Sequence, residues 1–446
     1  MAPCTRSRGF PVDVTDRVPH ARGRRVPRAP IHGLVSAALA LASLASPAHA
    51  TGPTCLVPMD VSQTDHLRAY GLTWWVLDRG RHAEWLLNYR GGSFLFDDDP
   101  ETRREAARRR VTLQVLSPEA EDSLRAEMSG GDRASVVLEK APKVALYDSS
   151  AGEPLDRPIE LALEYAGIAF SRLREAEILA GDLSKYDCLL VGHQDFTGQQ
   201  GRLYAAYHSF SWYQREERVQ RAMAAKLGYG KVSQLEGAVA LAIRDYIDRG
   251  GYLFAMCSAA QTYDIALAAE GVDIADSVFD GDPRDREAYR KLDYTRTLAF
   301  KGFNVETNPL LYGVSDIDVT EDVKSRGPTT RVRLLRFPAA SAREAAMLVQ
   351  DHTGFIPEFL GACTGFRTSR IADGVTVLAE VDSTDGVKYL CGRVGNGGFA
   401  FLGGHDPEDY EVMIGDPDPD LSRHTDSPGY RLILNNILSR AAPRSR

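Results

Sequence analysis

The feature that most constrains the fold is a regular alternation of short apolar runs with longer amphipathic stretches. The apolar runs at 143–147, 187–192 and 252–256 are five or six residues long and show no apolar–polar alternation. Uninterrupted runs of this length are typical of parallel strands that are buried on both faces. The stretches between them carry helical spacing, which predicts an α/β protein with a mainly parallel sheet.

Capping and turn residues mark where several of the predicted helices begin and end. Pro158 stands at a predicted first helical position, and Gly167 is the predicted stop of the same helix. Ser233 and Glu236 have the spacing of a capping box at the start of a second helix. Ser427 precedes a proline and is predicted to cap the last helix.

Further apolar runs predict strands beyond this central group. They lie at 55–59 and 84–88 near the start of the chain, and at 375–379, 388–391 and 398–402 near its end. Residues 97–140 are rich in Arg and Glu, which indicates exposed helix and linker. We therefore expect an N-terminal α/β segment, residues 51–140, packed on the main sheet of a domain that spans 141–446.

The first 50 residues differ in composition from the rest of the chain. They contain seven Arg and no Lys, then an uncharged apolar run at 33–44, then small residues at Ala48 and Ala50. This arrangement predicts a secretory signal peptide, residues 1–50, that is cleaved before Thr51. The apolar run is too short to span a bilayer, so we expect export to the periplasm or the exterior.

The charge balance after this leader argues against polyanionic partners. Residues 51–446 carry 46 basic and 59 acidic side chains, a net charge of about −13. No nucleic-acid recognition motif is present. We expect a small-molecule substrate, no nucleic acid and no membrane after removal of the signal peptide; the oligomeric state stays open.

A cysteine stands where a predicted strand meets a predicted helix. The strand at 252–256 is followed by Cys257, Ser258 and two alanines. This is the order of a nucleophile elbow, in which the helix N-terminus lowers the thiol pKa and offers N–H groups to an oxyanion. The alternative is a buried and inert cysteine that packs as a small hydrophobe. We name Cys257 as candidate nucleophile and Ser258 as a substrate contact.

A histidine follows the strand predicted at 398–402. His405 lies in a glycine-flanked loop, and Asp406 and Glu408 stand next to it. A thiol, an imidazole and an orienting carboxylate are the parts of Cys–His catalysis. The alternative is a surface turn in which Asp406 and Pro407 simply end the strand. In the catalytic interpretation His405 is the general base, and Asp406 or Glu408 orients it.

Polar residues also follow the other predicted strands, where doubly wound sheets bind ligands. We assign to substrate binding Asp60, Gln63, Asp65, His66, Asn88, Arg90, His193 and Gln194. The alternative is a metal site formed by His66, His193, His405, Asp60 and Asp195. No pair of these histidines has the spacing that would bring two ligands onto one helix face, so we expect no metal and no cofactor.

The loops around the cysteine and the histidine carry a resemblance to a known superfamily. Residues 141–440 resemble the class I glutamine amidotransferase-like proteins, whose three-layer αβα, flavodoxin-like fold has a cysteine elbow and a later His-Pro-Glu. Tyr-Ile-Asp-Arg-Gly-Gly at 246–251 and Leu-Gly-Gly-His-Asp-Pro-Glu at 402–408 are similar to the ThuA-like branch. With the segments 58–66 and 86–92, the mature chain resembles exported bacterial proteins labelled asparagine synthetase B-like.

The resemblance implies Cys257 as nucleophile and His405 as general base. The superfamily places Glu two residues after His, whereas here Pro407 stands at that position and Glu408 comes one later. Asp406 and Glu408 therefore remain alternatives for the acid.

Other positions depart from what the resemblance requires. Ala255 and Ala259 stand where glutaminases usually carry Gly. An asparagine synthetase of this type needs a mature N-terminal Cys and a Ser-Gly-Gly-x-Asp-Ser loop, but Thr51 is the predicted first residue and 149–152 does not match that loop. We expect no ATP-dependent asparagine formation.

These features together favour an exported Cys–His hydrolase or amidotransferase-like protein that acts on a small amide or related substrate. One alternative is a non-catalytic protein on the same fold that binds a carbohydrate or another small molecule. A metal-dependent hydrolase is the third possibility. A thiol in contact with the imidazole favours the first hypothesis, and a cysteine buried far from the histidine favours the second.

Overall fold

The main sheet is built around five parallel strands. The structure is a computed structural model and describes residues 53–148, 157–325, 331–338, 341–348, 353–382, 384–410 and 414–443. The predicted leader with its cleavage point, and the segment 149–152, lie outside these ranges. No helix among the described residues is both long enough and apolar enough to cross a bilayer.

The described residues contain fifteen strands and fourteen α-helices. The strands are β1 Thr54–Val57, β2 Ala83–Leu87, β3 Ser93–Asp97, β4 Gln114–Val115, β5 Ala134–Leu138, β6 Val144–Tyr147, β7 Phe170–Leu173, β8 Cys188–Val191, β9 Tyr252–Met256, β10 Arg331–Leu334, β11 Phe355–Pro357, β12 Phe366–Arg367, β13 Thr376–Val381, β14 Gly386–Val394 and β15 Gly397–Leu402. The helices are α1 His66–Asp78, α2 Pro100–Arg109, α3 Pro118–Met128, α4 Pro158–Ala166, α5 Glu175–Leu179, α6 Tyr204–Tyr207, α7 Ser211–Lys226, α8 Val232–Asp248, α9 Ser258–Ala268, α10 Ser277–Asp280, α11 Ala288–Lys291, α12 Thr320–Lys324, α13 Ala342–Ala346 and α14 Pro428–Leu438.

The larger sheet has the order β11-β10-β13-β14-β15-β9-β8-β6-β7, and β12 pairs with β14. The pairs that join β7, β6, β8, β9 and β15 are parallel, and the remaining pairs are antiparallel. The expected mainly parallel sheet is therefore corrected to a large mixed sheet. Only Gly395 and Asn396 separate β14 from β15, and so short a connection permits antiparallel pairing alone.

Alternate residues of the parallel strands enter two different hydrophobic cores. On β9, Tyr252, Phe254 and Met256 lie in a core with buried residues of α1, α4 and α14. Leu253 and Ala255 of the same strand lie in a second core with residues of α5, α8 and α9. Both faces of the parallel strands are thus covered by helices, as the uninterrupted apolar runs predicted.

The N-terminal segment forms a separate sheet. Its order is β4-β1-β3-β2-β5, and all its pairs are antiparallel. The assignment of binding residues after β1 and β2 assumed that these strands end at the edge of the parallel sheet; the short turn at 88–92 instead folds β2 back on β3. The charged stretch at 97–140, predicted as helix and linker, also supplies β4 and β5. Val57, Trp85 and Phe94 pack in the same core as α1 and α14.

Some of the predicted helix boundaries are confirmed. Pro158 is the first residue of α4, and Gly167 ends that helix with a left-handed φ of 70°. The Ser427 hydroxyl accepts a hydrogen bond from the N–H of Tyr430 at the start of α14. The local chemistry of these three residues is sufficient to set the boundaries.

Candidate functional site

Cys257 occupies the sharp turn between β9 and α9. Its backbone has φ 59° and ψ −135°, a conformation that residues with a side chain seldom adopt. The turn is fixed because the Cys257 N–H donates to the Leu402 carbonyl of β15 at 3.0 Å. The N–H of Ala260 donates to the Cys257 carbonyl at 3.2 Å, which begins α9. The thiol therefore lies at the carboxyl edge of the parallel strands, beside the amino end of a helix.

The surroundings of the thiol favour its ionised form. Cys257 is only 1% exposed, and this burial raises the pKa of its thiol. A hydrogen bond from His405, the charge of that imidazole and backbone N–H groups of Cys363 and Ser258 act in the opposite direction. Together they hold the pKa of Cys257 below its ordinary value. The structure thus brings together Cys257 and His405, the two residues predicted as nucleophile and base.

His405 is held by the loop that follows β15. It is 4% exposed, and its backbone N–H donates to the Leu360 carbonyl at 2.7 Å. Its ring centroid lies 5.4 Å from that of His193, and the Ser258 hydroxyl donates to the His193 carbonyl at 2.7 Å. His193 and Ser258, both predicted as substrate contacts, therefore lie beside Cys257 and His405.

The two carboxylates considered for the acid have different surroundings. Asp406 is fully buried and accepts hydrogen bonds from the Tyr430 hydroxyl and from the Glu408 N–H, both at 2.8 Å. The Glu408 carboxylate is partly exposed and lies 2.7 Å from the His424 ring. Asp406 is therefore the buried carboxylate of the two, whereas the side chain of Glu408 is directed to His424.

A loop that sequence reasoning missed covers the thiol. We call residues 358–364 the cover loop. At Gly361 a Cβ atom would lie 3.0 Å from the Cys257 sulfur and 2.8 Å from the backbone nitrogen of His405, so a side chain there has no room. The cover loop falls in a stretch without helical or strand periodicity, and for this reason the sequence pattern gave it no role.

Lys388 of β14 fastens the cover loop. Its ammonium donates to the Phe359 carbonyl and, at 2.8 Å, to the Thr364 carbonyl, and it lies 4.0 Å from the centroid of the Phe359 ring. The side chain is fully buried. Burial lowers the pKa of Lys388 to about 8, although the nearby Glu358 carboxylate acts in the opposite direction. A lysine inside an otherwise apolar predicted strand was the signal that could have identified it.

Gln194 belongs to a buried polar network next to the site. Its amide donates to Glu236 at 3.1 Å, and the Tyr147 hydroxyl contacts the same carboxyl group at 3.4 Å. Burial, reinforced by the charges of Glu175 and Asp195, raises the pKa of Glu236 well above its usual range.

The capping box predicted for Ser233 and Glu236 is wrong. Glu236 faces the core because α8 begins at Val232 after Lys231, so Ser233 does not cap it.

The remaining predicted binding residues lie in the N-terminal segment. They are Asp60, Gln63, Asp65, His66, Asn88 and Arg90. Arg90 lies 2.6 Å from Asp60; burial raises the pKa of Asp60, but hydrogen bonds from Arg90 and Ser62 outweigh it and lower that pKa to about 2. The Gln63 amide oxygen accepts the Thr112 N–H at 2.8 Å.

These contacts hold the smaller antiparallel sheet together. Asp65 caps α1 by accepting the Arg68 N–H, and the Asn88 amide donates to the Asp132 carbonyl at 2.9 Å. The premise that β1 and β2 end at the carboxyl edge of the parallel sheet is wrong, since they pair in the other sheet. A role in substrate binding for this group stays a prediction.

The five residues considered as metal ligands do not form a cluster. Within the described ranges, the one group of three potential ligand atoms within 4.8 Å of one another belongs to Asp273, Asp280 and Asp282. The Lys231 ammonium lies 2.5 Å from Asp273 and 3.2 Å from Asp280, and it also contacts Asp282. A protein cation therefore already compensates these carboxylates.

The comparison with known proteins gives no function for this chain, so its function has to be argued from its residues. No family model and no curated protein matches the chain. Two cytoplasmic proteins from Salmonella typhimurium have solved structures that are similar to this chain. One is 9% identical with a TM-score of 0.33 and covers 66% of this chain and 97% of its own. The other is 11% identical with a TM-score of 0.34 and covers 67% of this chain and 100% of its own.

A third solved structure belongs to a ThuA-like protein from Bacteroides uniformis. It is 10% identical with a TM-score of 0.30, and the match covers 66% of this chain and 88% of that one. TM-scores of this size establish no shared function. The chemistry proposed next therefore depends on the geometry around Cys257.

Proposed function

We propose that this protein is a Cys–His hydrolase, or an amidotransferase-like protein, that acts on a small amide or related substrate. The observation that carries the proposal is the Cys257 thiol, which lies in a strained elbow and whose pKa His405 helps to hold below its ordinary value. Strained backbone conformations of this kind are concentrated at functional sites. A lowered thiol pKa is the property that makes a cysteine nucleophilic at neutral pH.

The proposal includes a flavodoxin-like, class I glutamine amidotransferase-like fold, with the ThuA-like branch as its nearest type. Numbered along the chain, the parallel strands have the spatial order 2-1-3-4-5, which is the order of flavodoxin-like sheets. Helices on both faces of these strands support a three-layer arrangement. The sequence segments 246–251 and 402–408 support the ThuA-like type.

The proposed reaction needs only groups of the site and one water molecule. His405 takes the proton of Cys257, and the thiolate sulfur forms a bond to the amide carbonyl carbon. The N–H groups of Cys363 and Ser258 stabilise the oxyanion. The carbon–nitrogen bond then breaks, and the nitrogen leaves as ammonia or an amine with the proton from His405. Water hydrolyses the thioester to the acid and restores the thiol.

Substrate entry requires the cover loop to move. The thiol is 1% exposed, and Gly361 lies against both Cys257 and His405. We assign to Lys388 the positioning of this loop through the carbonyls of Phe359 and Thr364. The small space near Gly361 favours a small substrate over a polypeptide.

The burial of Cys257 also favours the second candidate, a non-catalytic protein that binds a small molecule. A thiol closed in by Gly361 is the arrangement expected when a cysteine has only a packing role. The two candidates differ in whether a covalent adduct forms on the sulfur, so the experiment measures that adduct.

The test is a panel of small primary amides and activated esters, followed by intact-mass spectrometry and ammonia release. We expect an acyl adduct on Cys257 with at least one compound, and its absence in Cys257→Ser. His405→Ala should accumulate the adduct at least about tenfold more slowly. Cys188→Ala, at a buried thiol inside β8, is the matched control and should behave as the unaltered protein. An adduct that forms equally without Cys257 or His405, or no adduct with any compound, would favour the binding protein.

We also propose that the chain is exported and cleaved before Thr51. The Arg-rich start, the apolar run at 33–44 and the small residues at Ala48 and Ala50 support this. N-terminal sequencing of the mature protein should begin at Thr51, and a mature protein that begins before residue 30 would contradict it.

The purified protein should also form no asparagine from aspartate, glutamine and ATP. Formation of asparagine that depends on ATP would show that a nucleotide site exists despite the departures noted above.

A further inference from the structure

A second polar region lies at the opposite, amino-terminal edge of the parallel strands. A cavity of about 660 Å³ is lined by the first residues of β9 and β15, by α13 and by the residues that follow α14. Since β9 rises about 3.3 Å per residue over its five residues, this cavity is roughly 16 Å from Cys257. It is therefore separate from the proposed active site.

Three arginines line this cavity. Arg343 comes from α13, Arg393 from the end of β14 and Arg440 from the segment after α14. None of the three forms an ion pair with a carboxylate in the part of the chain that the structure describes. Lys140 and Asp187, which also line the cavity, pair with each other at 2.8 Å. Glu139 also lines the cavity, so its lining carries four basic and two acidic side chains, an excess of positive charge in a protein that is acidic as a whole.

The guanidinium of Arg440 is fixed in place. It lies 3.9 Å from the centroid of the Tyr252 ring, and its Nε and Nη2 donate to the Ser439 hydroxyl at 3.2 and 3.1 Å. Burial lowers the pKa of Arg440, and the nearby Arg343 acts in the same direction. Two guanidinium groups that lie near each other and form no ion pair with a carboxylate have an electrostatic cost, which a bound anion would reduce.

Gly398 provides the room for Arg343. A Cβ atom at this position would lie 2.6 Å from the Arg343 Nη2 atom. The absence of a side chain at the start of β15 thus leaves space for the guanidinium next to that strand. The position of the Arg343 guanidinium therefore depends on the glycine at 398.

We propose that this cavity binds a small molecule that carries several oxyanion groups, and that Arg343, Arg393 and Arg440 hold it. Guanidinium groups match the geometry of carboxylate and phosphate oxygens through paired hydrogen bonds. The cavity volume exceeds that of a single phosphate, so the ligand has at least two such groups or a larger body. The site is independent of the proposed hydrolysis.

The experiment is isothermal titration of the full chain with inorganic pyrophosphate and, separately, with citrate, at constant ionic strength. We expect saturable binding of at least one of them with a Kd of about 1 mM or lower. Arg343→Gln and Arg440→Gln should each weaken that binding by at least about tenfold. Arg290→Gln changes the same charge at an exposed site whose arginine pairs with Glu287, and it should bind as the unaltered protein does.

The two probes separate the sources of the oxyanion. Binding of pyrophosphate alone indicates a phosphate ligand, and binding of citrate alone indicates a carboxylate ligand. Arg393 is exposed, so Arg393→Gln decides the outcome if the other two variants do not fold. The proposal is overturned if neither probe binds up to about 10 mM, or if the cavity variants bind as well as Arg290→Gln does.

Discussion

The two edges of the parallel strands differ in how closely the surrounding protein covers their polar side chains. At the carboxyl edge Cys257 and His405 are almost completely covered, and a buried lysine fastens the loop above them. At the amino edge Arg343 and Arg440 line a cavity of about 660 Å³. A single strand, β9, connects the two edges. The comparison teaches that the proposed nucleophile is closed off by close packing, whereas the proposed anion-binding arginines line an open cavity.

The largest expected effect contrasts two buried thiols on neighbouring strands. Burial raises the pKa of Cys188, within β8, to about 12, whereas the pKa of Cys257 lies below that of an ordinary thiol. At pH 7 the thiolate fraction of Cys257 should exceed that of Cys188 by at least about a thousandfold. Iodoacetamide labelling followed by peptide mass spectrometry measures the two rates. Labelling in urea is the control, where the rates converge; equal rates in the folded protein would contradict the proposed site.

The pH dependence of the free energy of unfolding tests whether Lys388 is buried against the cover loop. Its pKa falls from 10.5 in the unfolded chain to about 8 in the folded one, so the unfolded state binds more protons between these pH values. The free energy of unfolding should therefore gain on the order of 2 kcal/mol from this group as the pH rises from 8 to 10.5. Urea unfolding of Lys388→Met should lack this gain.

The matched control is Lys226→Met, at an exposed lysine in the last turn of α7. It should keep the pH dependence of the unaltered protein. If Lys388→Met and the unaltered protein show the same change between pH 8 and 10.5, Lys388 is not an ammonium buried against the cover loop.

His405 tests what lowers the pKa of the Cys257 thiol. His405→Ala removes the hydrogen bond and the charge that oppose burial, so the pKa of Cys257 should rise. Labelling of Cys257 at pH 7 should slow by about tenfold, and the pH profile should move to higher pH. His424→Ala, at the partner of Glu408, is the control and should leave both unchanged. An unchanged profile in His405→Ala would remove the base from the proposed mechanism.

The smallest effect distinguishes Asp406 from Glu408. Asp406→Asn alters a fully buried carboxylate next to His405 and should slow Cys257 labelling by about threefold to fivefold. Glu408→Gln alters a group directed to His424 and should change the rate by less than about twofold. The reverse order of effects would assign the orienting role to Glu408.

The sequence was sufficient where the physical cause of a feature is local. The run at 252–256 coincides with β9 because a strand buried on both faces has only apolar residues. Pro158, Gly167 and Ser427 set helix boundaries through their own backbone and side-chain chemistry. The pairing of Cys257 with His405 was expected because each residue lies within three positions of the end of a strand, and these two strand ends share one edge of the sheet.

The sequence was insufficient where the cause lies in distant contacts. Whether β1 and β2 join the large sheet depends on hairpin closure within the N-terminal segment, which apolar runs do not encode. Glu236 has the spacing of a capping residue, but its environment is set by Tyr147 of β6 and by Gln194 of the loop that follows β8. The cover loop acquires its place through residues outside it, among them Lys388 and His405, which no local pattern relates to it.

The left-handed backbone of Cys257 has a consequence for the evolution of this chain. Glycine adopts a φ of 59° with a ψ of −135° far more readily than any residue with a Cβ atom, so folding alone would select glycine at this turn. Selection for a less strained backbone should therefore favour glycine in any lineage that no longer needs the sulfur. Among homologues, cysteine retained at this position would record selection for reactivity against stability, and glycine would record its loss.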